Sequence, residues 1–433
     1  MNLPAAKSPV LAGKIRHLRW WIVVLLFLST IINYLDRQAL SILARTIQDE
    51  LQISNLGYAR IVNAFLLTYT ITYLFAGRLT DWLGTRRAMT VFIVWWSLAN
   101  VLTSLARSAF SLGIFRALLG MGEPGNYTAA PKAVSEWIPP KDRGLAVWIY
   151  TAGATLGATI APKLIAELTA RYGWRSTFVI TGALGLLWVI PWLWLYRRPH
   201  EHPRITTEEL ALISGNEASG ASSESTELVA PSEKQRWYLV LSHKAVWMLL
   251  LSRLLTDPVW YFYLFWFPKY LQDARGQSLA QVGNLAWLVY VGADAGCILG
   301  GLATGWLIRR GVTPVHSRLR VMTAAACLIP LGVFVAVAPS AQAAVWAAML
   351  VAFAHLVWQV VMGALIVDLA PPARVATVFG VVAAGSGFGG LISNELVGRL
   401  VTSWSYTPVF VVMGFLHPLA LLLIWQVRKY KTI

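Results

Sequence analysis

Long apolar runs are the feature that most restricts the folds open to this chain. Of its 433 residues, 57% are hydrophobic and only 13% are charged, about half the charged fraction of a typical soluble protein. A run of about 20 apolar residues crosses a bilayer as a helix, which satisfies its own backbone hydrogen bonds. The sequence therefore predicts an all-α polytopic membrane protein. We expect about twelve spans, near residues 20–41, 57–79, 87–106, 109–132, 143–169, 175–196, 244–270, 279–308, 318–338, 342–368, 374–400 and 406–427.

The net charge of +16 is distributed as a topology signal. Basic residues cluster in alternate connections, namely at Lys14, Arg16, Arg19, Arg86, Arg87, Lys141, Arg143, Arg197, Arg198, Arg309, Arg310, Arg318, Arg320, Arg428, Lys429 and Lys431. Such connections stay on the cytoplasmic side of a membrane. We therefore expect both termini to be cytoplasmic and the protein to span the inner membrane, with the lipid bilayer rather than nucleic acid as its partner.

The apolar pattern divides into two similar halves. Residues 199–242 are polar and rich in small residues, which predicts a flexible linker between six-helix bundles at 1–198 and 243–433. Glycine-rich stretches follow the second and eighth spans, and proline pairs follow the fourth and tenth, at Pro139-Pro140 and Pro371-Pro372. These matches indicate an internal duplication with pseudo-two-fold symmetry, as in many secondary carriers, whose sites lie between the halves.

Charged residues inside the spans are the main candidates for function. A charge near the bilayer centre costs about 2.5–3.5 kcal/mol on insertion scales, yet the first span contains Asp36 and Arg37. The fourth span contains Arg116 and Glu123, which are seven residues apart and therefore share a helix face. Arginine binds carboxylates through a fixed fork of donors and stays charged. Both arginines are candidates for binding an anionic substrate, or for structural pairing with the two acids, and both acids are candidates for coupling to protons.

Several motifs resemble those of a known transporter family. The pattern Gly77-x-x-x-Asp81-x-x-Gly84-x-Arg86-Arg87 resembles the helix 2–3 signature of the major facilitator superfamily, where we expect a conformational latch. The Arg116-x-x-x-Gly120-x-Gly122 pattern resembles the family's helix 4 motif. The string at 33–37 is similar to the anion:cation symporter branch, and residues 256–271 are most similar to hexuronate transporters. Arg45 departs from the branch, where a proline is expected.

This resemblance implies a major facilitator fold and proton-driven uptake of an acidic sugar by alternating access. Aromatic and polar side chains in the spans suit a sugar ring and its hydroxyls, although aromatic residues also face lipid and a lone buried histidine is often a packing residue. The substrate candidates besides the two arginines are Tyr34, Tyr69, Tyr73, Asn126, Trp260, Tyr261, Tyr263, His355, Trp358, Gln359 and Asn394. Lys163 and Glu167, four residues apart, are expected to pair.

The leading hypothesis is thus a symporter for a hexuronate such as glucuronate or galacturonate. The alternatives are a carrier of another organic anion, such as an aldonate, a dicarboxylate or an amino-acid anion, and a membrane sensor that binds its ligand without transporting it. No enzyme is expected, because no nucleotide, metal or nucleophile motif occurs. We expect no cofactor, no bound metal and a monomer. For Asp294 and Glu395, two further acids within the spans, the sequence indicates only that either could belong to a buried pair.

Overall fold

The computed structural model describes residues 14–219, 237–370 and 375–430, which contain seventeen α-helices. In chain order these are α1 (Leu18–Ile42), α2 (Ala44–Leu51), α3 (Asn55–Leu83), α4 (Thr85–Thr103), α5 (Ala109–Gly122), α6 (Pro124–Trp137), α7 (Pro140–Leu195), α8 (Thr207–Ser219), α9 (Lys244–Phe265), α10 (Phe267–Asp273), α11 (Leu279–Leu285), α12 (Trp287–Arg309), α13 (Pro314–Leu328), α14 (Val333–Val337), α15 (Ala341–Leu369), α16 (Val375–Ser403) and α17 (Thr407–Val427).

These helices form twelve membrane segments, as the sequence predicts. Four segments are interrupted helices: α5 with α6, α9 with α10, α11 with α12, and α13 with α14. Conversely, α7 contains two segments in one range. Its break lies at Gly173, whose φ of 78° falls in the left-handed region that glycine adopts without a steric penalty. The helices α1 to α7 are called the N-half below, and α9 to α17 the C-half.

The break in α7 is held by the first connection of the chain. Glu50, at the end of α2, accepts a hydrogen bond from the Trp174 indole at 2.5 Å and pairs with the Arg175 guanidinium. Both partners directly follow Gly173. The two donors hold the pKa of the Glu50 carboxyl below its usual range, because they stabilise its charged form. The contact fixes where α7 turns back across the membrane.

Within the C-half, α16 packs against α9 at very close range. A β-carbon on Gly385 would lie 2.3 Å from the Leu250 carbonyl oxygen, and one on Gly389 would lie 2.3 Å from that of Leu254. Neither site has room for a side chain. The glycine-rich run of α16 therefore serves helix packing, as expected for small residues at a membrane helix interface.

The two halves are joined at the end of the molecule that lies opposite the basic connections. There the Arg45 guanidinium donates to the Gln272 carbonyl at 2.6 Å, and the Gln272 amide donates back to the Ile42 carbonyl at 3.1 Å. Tyr58 of α3 donates to the Phe265 carbonyl at 2.6 Å. Arg45, which departs from the branch pattern, thus contributes a polar contact between the halves.

The region between the halves is partly outside the described residues, which omit 220–236. Within the predicted linker, α8 packs against the start of α1, where the Glu209 carboxylate accepts the backbone N–H groups of Leu18 and Arg19, each at 3.0 Å. A carboxylate at this position caps the helix and complements its dipole. The boundaries of the halves stay a prediction, and Pro371-Pro372 also lies outside the described residues.

The predicted pairing of Lys163 with Glu167 is not found, since no ion pair joins these two described side chains. Both are exposed. Glu395, by contrast, pairs with Arg399 of its own helix at 3.0 Å and with Arg60 of α3 at 3.6 Å. The contact between Glu395 and Arg60 adds to the junction between the halves.

A disulfide between α3 and α16 tests the junction directly. A β-carbon on Gly387 would lie 3.8 Å from Thr70 Cβ, which is within the range that a disulfide requires. In a background without Cys297 and Cys327, we expect the T70C/G387C variant to lose both free thiols on mild oxidation and regain them on reduction, as measured by maleimide labelling. The two single variants are the controls. Thiols that stay fully reactive after oxidation would contradict the described packing.

Candidate functional site

The centre of the N-half contains an ion pair between Arg37 of α1 and Glu123. The Nε and Nη2 atoms of Arg37 both donate to Glu123 Oε2, at 2.8 and 2.6 Å. Glu123 is fully buried, and its Oε1 has no hydrogen-bond partner among the described residues. Arg37 keeps 11% of its side chain exposed, and its Nη1 has no acceptor in the described part of the chain. The pair therefore has one free carboxylate oxygen and one open guanidinium edge.

A helix interruption places Glu123 beside Arg37. The predicted fourth span is split into α5 and α6, with Glu123 at the junction and Pro124 as the first residue of α6. Proline has no N–H to continue the hydrogen-bond ladder, and its ring disturbs the preceding turn. The acid thus lies where proline interrupts the hydrogen-bond ladder of the span, at a depth where an unpaired carboxylate would be costly.

Aromatic rings surround the Arg37 guanidinium. Its Cζ atom lies 5.1 Å from the ring centroid of Tyr34, 4.9 Å from that of Tyr69 and 5.7 Å from that of Phe65. A cation over an aromatic face is stabilised by about 2 kcal/mol or more where water is excluded. The rings also limit the directions from which a ligand can approach the guanidinium. Tyr73 continues this aromatic row, with its ring 6.0 Å from Tyr69, and is more exposed.

Asp36 and Arg116 lie behind this pair, in the interior of the N-half. Asn100 Nδ2 donates to Asp36 Oδ1 at 2.6 Å, while Asp36 Oδ2 is buried without a partner among the described residues. Arg116 Nη1 donates to the backbone carbonyl of Asp36 at 3.2 Å, and its guanidinium lies 5.2 Å from the Phe178 ring. Arg116 thus contacts the Asp36 backbone rather than its carboxylate, so the predicted pairing of these side chains is absent from this conformation.

Asn126 of α6 contacts α1 rather than the ion pair. It is completely buried and donates to Thr30 Oγ1 at 3.0 Å, while its Oδ1 accepts from Ser29 at 2.8 Å. These bonds join α6 to α1. In this conformation Asn126 holds two helices together.

The C-half has its own buried ion pair on α9. Arg253 Nη2 lies 2.8 Å from Asp257 Oδ2, one helical turn away, and Gln359 of α15 donates to Asp257 Oδ1 at 3.0 Å. Asp257 is almost fully buried, whereas Gln359 is partly exposed. The arrangement gives the C-half a neutralised acid with an amide at its edge.

Two histidines lie beside this pair. His355 Nδ1 and His417 Nε2 are 3.1 Å apart, which joins α15 to α17. The Trp260 ring lies parallel to the His355 ring, with 5.9 Å between centroids, and Trp358 packs edge-on against His417 at 5.3 Å. His355 and Trp358 are buried, whereas Trp260 is partly exposed. Trp260 is therefore the member of this cluster that a ligand reaches first.

The other C-half candidates differ in accessibility. The Tyr261 hydroxyl lies 3.1 Å from that of Ser386 on α16, and its side chain is partly exposed. Asn394 is buried and accepts a hydrogen bond from the Trp266 indole at 2.8 Å. Tyr263 is buried, with its ring 5.4 Å from that of Phe267. Of these three side chains, Tyr261 alone is partly exposed.

Comparison with known proteins identifies the family. The family model described as Major Facilitator Superfamily matches residues 26–359, most of the chain and parts of both halves. The chain belongs to the Major Facilitator Superfamily.

Individual major facilitator proteins are similar over most of their length. The "Hexuronate transporter" of Escherichia coli strain K12 is 32% identical over 426 residues, which cover 96% of each chain. The "Galacturonate transporter" of Dickeya chrysanthemi is 35% identical over 289 residues, which cover 66% of this chain and 82% of that protein. A solved structure, the inward open conformation of the xylose transporter XylE from E. coli, matches with a TM-score of 0.72 at 14% identity, covering 94% of this chain and 96% of that one.

These similarities confirm the fold and the resemblance to sugar-acid transporters that the motifs predict. They also confirm that the chain is a transporter rather than an enzyme, since the family and the similar proteins are transporters. The long apolar helices support its insertion into a membrane. The roles of individual site residues stay predictions.

The major facilitator motif, which spans the end of α3 and the start of α4, forms contacts within the N-half. Asp81 pairs with Lys132 of α6 at 2.6 Å, and Gly84 joins α3 to α4 with a φ of 75° that favours glycine. The Arg86 guanidinium donates to the Leu193 carbonyl of α7, whereas Arg87 is exposed. A β-carbon on Gly77 would meet nothing within 4 Å. Asp81 therefore pairs with a basic residue of another helix in this conformation.

Some polar partners in the site are not apparent from sequence. Asn100 and His417 complete the environments of Asp36 and His355, yet each lies in an apolar span and carries no motif. Arg253 could be found, since it precedes Asp257 by four residues and shares its helix face. The polar partners that the sequence does not reveal are therefore mostly side chains on other helices.

A double-mutant cycle tests the buried ion pair. We expect R37Q and E123Q each to lower the free energy of unfolding by about 3 kcal/mol, because each leaves one buried charge unpaired. The R37Q/E123Q double variant leaves neither charge and should recover much of the loss. Detergent-induced unfolding followed by tryptophan emission measures these values.

The exposed pair between Asp81 and Lys132 serves as the control for this cycle. Its D81N variant should change stability by less than about 1 kcal/mol, as exposed pairs usually do. Losses from R37Q and E123Q that simply add in the double variant would show that the two side chains do not interact.

Proposed function

We propose that this protein is a proton-coupled symporter that imports a hexuronate, such as galacturonate or glucuronate, across the cytoplasmic membrane. The observation that carries the proposal is the ion pair between Arg37 and Glu123, with one guanidinium edge and one carboxylate oxygen free. The similarity to a hexuronate transporter and a galacturonate transporter supports the choice of substrate class.

In this proposal the substrate carboxylate replaces Glu123 as the anionic partner of Arg37. With a proton on its free Oε1, Glu123 becomes neutral and holds Arg37 less strongly. The carboxylate of the sugar acid then binds the guanidinium, which prefers a planar, charged acceptor. Without that proton, Glu123 competes with the substrate for Arg37. Binding of the anion and binding of the proton therefore favour each other.

Asp36 is the second acid in this proposal. Its Oδ2 is buried without a donor among the described residues, and a proton there removes an uncompensated charge. A monovalent anion with one proton moves no net charge and draws only on the pH gradient, about 1.4 kcal/mol per unit. A second proton adds about 2.3 kcal/mol for every 100 mV of membrane potential. Two acids thus favour electrogenic symport.

Partly exposed C-half side chains recognise the sugar ring and its hydroxyls. Trp260 supplies an apolar face, and Tyr261 and Gln359 supply polar groups. The candidates Tyr263, His355, Trp358 and Asn394 are buried, so their proposed contribution is to hold these groups or to become accessible in another state.

Alternating access completes the proposal. The basic connections are cytoplasmic, with both termini on that side, and the polar contacts of Arg45, Tyr58 and Gln272 close the outer end. The described conformation is then inward-facing. Asp81, Arg86 and Arg87, with Gly77 and Gly84, act as the latch that changes partners between states. The transport unit is a single chain with its two halves.

Replacement of Glu123 separates proton-driven accumulation from exchange. Glutamine is neutral, like the protonated acid, so we expect E123Q to exchange labelled for unlabelled galacturonate in proteoliposomes. It should not accumulate galacturonate in response to an imposed pH gradient. E167Q, which changes an exposed acid of α7, should behave like the unmodified protein.

Several results would contradict these proposals. Normal accumulation by E123Q would exclude Glu123 as the coupling acid. Absence of counterflow by the unmodified protein with every hexuronate and aldonate would instead favour the sensor. Counterflow with galactonate but not with hexuronates would show that the substrate is an aldonate.

A further inference from the structure

The basic end of the N-half contains a groove that lies outside the proposed substrate site. It has a volume of about 760 Å³ and lies between the connection of α3 to α4 and the end of α7. Four arginines line it: Arg86, Arg87, Arg197 and Arg198. Two come from the third segment and two follow the sixth, so the fold gathers charges that are about a hundred residues apart in sequence.

These positive charges are poorly neutralised. Arg87, Arg197 and Arg198 are exposed, and no carboxylate lies within ion-pair distance of them in the described ranges. Arg86 donates to the Leu193 carbonyl through Nη2, but its Nε is buried without a partner among the described residues. The groove is therefore lined by guanidinium groups that lack a carboxylate partner among the described residues.

The acidic residue at the floor of the groove is already occupied. Glu136 accepts hydrogen bonds from both the Thr85 hydroxyl, at 2.8 Å, and the Tyr196 hydroxyl. Glu201 also lines the groove but is exposed. Four arginines thus face two acids, which leaves an excess of positive charge for a ligand.

One wall of the groove is apolar and faces outward. Val91 of α4 and Leu193 of α7 line it, with 46% and 41% of their surfaces exposed. Trp194 is exposed beside it, with the Arg204 guanidinium 4.4 Å from its ring centroid. Tryptophan and arginine together are typical of the boundary between hydrocarbon and water. A ligand that contacts both the arginines and the apolar wall needs an anionic head and an apolar tail.

We propose that this groove binds an anionic phospholipid, with the phosphate on the arginines and an acyl chain along Val91 and Leu193. Arginine forks match phosphate oxygens, and basic pockets between membrane helices at the water boundary bind anionic headgroups. A free phosphate would use only the arginines and would leave the apolar wall uncovered.

The backbone of the groove is fixed before any ligand binds. The Trp192 indole donates to the Arg86 carbonyl at 3.1 Å, and the Trp137 indole donates to the Arg197 carbonyl at 3.0 Å. These bonds hold the connections that carry the arginines. A preformed site loses less conformational entropy on binding than a mobile loop.

Native mass spectrometry of the purified full chain in detergent tests this site. We expect retention of phosphatidylglycerol over phosphatidylcholine at equal concentration, and only weak binding of inorganic phosphate. The R197Q/R198Q variant should bind phosphatidylglycerol roughly tenfold less tightly, because two headgroup contacts are lost. R309Q/R310Q removes the same charge at the basic end of the C-half and should bind normally.

A second variant tests the apolar wall and guards against misfolding. V91Q keeps every arginine and should also weaken phosphatidylglycerol binding, while both groove variants should keep the elution volume of the unmodified protein on gel filtration. Equal losses in R309Q/R310Q would overturn the proposal in favour of general charge attraction. Equal binding of phosphatidylcholine, or inorganic phosphate that binds as tightly as the lipid, would also overturn it.

Discussion

The ion pair between Arg37 and Glu123 is the interaction on which the rest of the N-half depends. Removing two charges from water is costly, and the attraction between them repays this only with short, well-directed contacts. Here two donors of one guanidinium meet a single carboxylate oxygen at 2.6 and 2.8 Å. The pair leaves one acidic oxygen and one guanidinium edge unused, so its stability changes when a proton or an anion binds.

The surrounding helices provide the short, well-directed contacts that this buried ion pair needs. Glu123 lies at the junction of α5 and α6, directly before Pro124, and the rings of Tyr34 and Tyr69 cover the cation. The C-half repeats the principle with Arg253 and Asp257, which are again largely buried, and there the Gln359 amide also donates to the acid. Each half thus contains a buried ion pair of its own, so these two pairs stay together when the halves move relative to each other.

Sequence predicts the fold well because hydrocarbon allows few solutions. Runs of apolar residues locate the twelve segments, and the two charged residues of each pair in the N-half stand out against them. The sequence does not predict which of these side chains contact each other. Asp36 meets Asn100 rather than Arg116, because the rotation of each helix decides which faces touch. Lys163 and Glu167 share a helix face, but both are exposed and no ion pair joins these two described side chains. His417 has no motif and becomes apparent only through its contact with His355.

Proton uptake on substrate binding tests the central claim most directly. The purified protein is mixed with saturating galacturonate in weakly buffered detergent near neutral pH, and a pH indicator reports the protons bound. If the substrate displaces Glu123 from Arg37, the protein takes up roughly one proton per bound sugar acid, and E123Q takes up fewer while still binding. Binding by the unmodified protein without proton uptake would contradict the exchange of acids on Arg37.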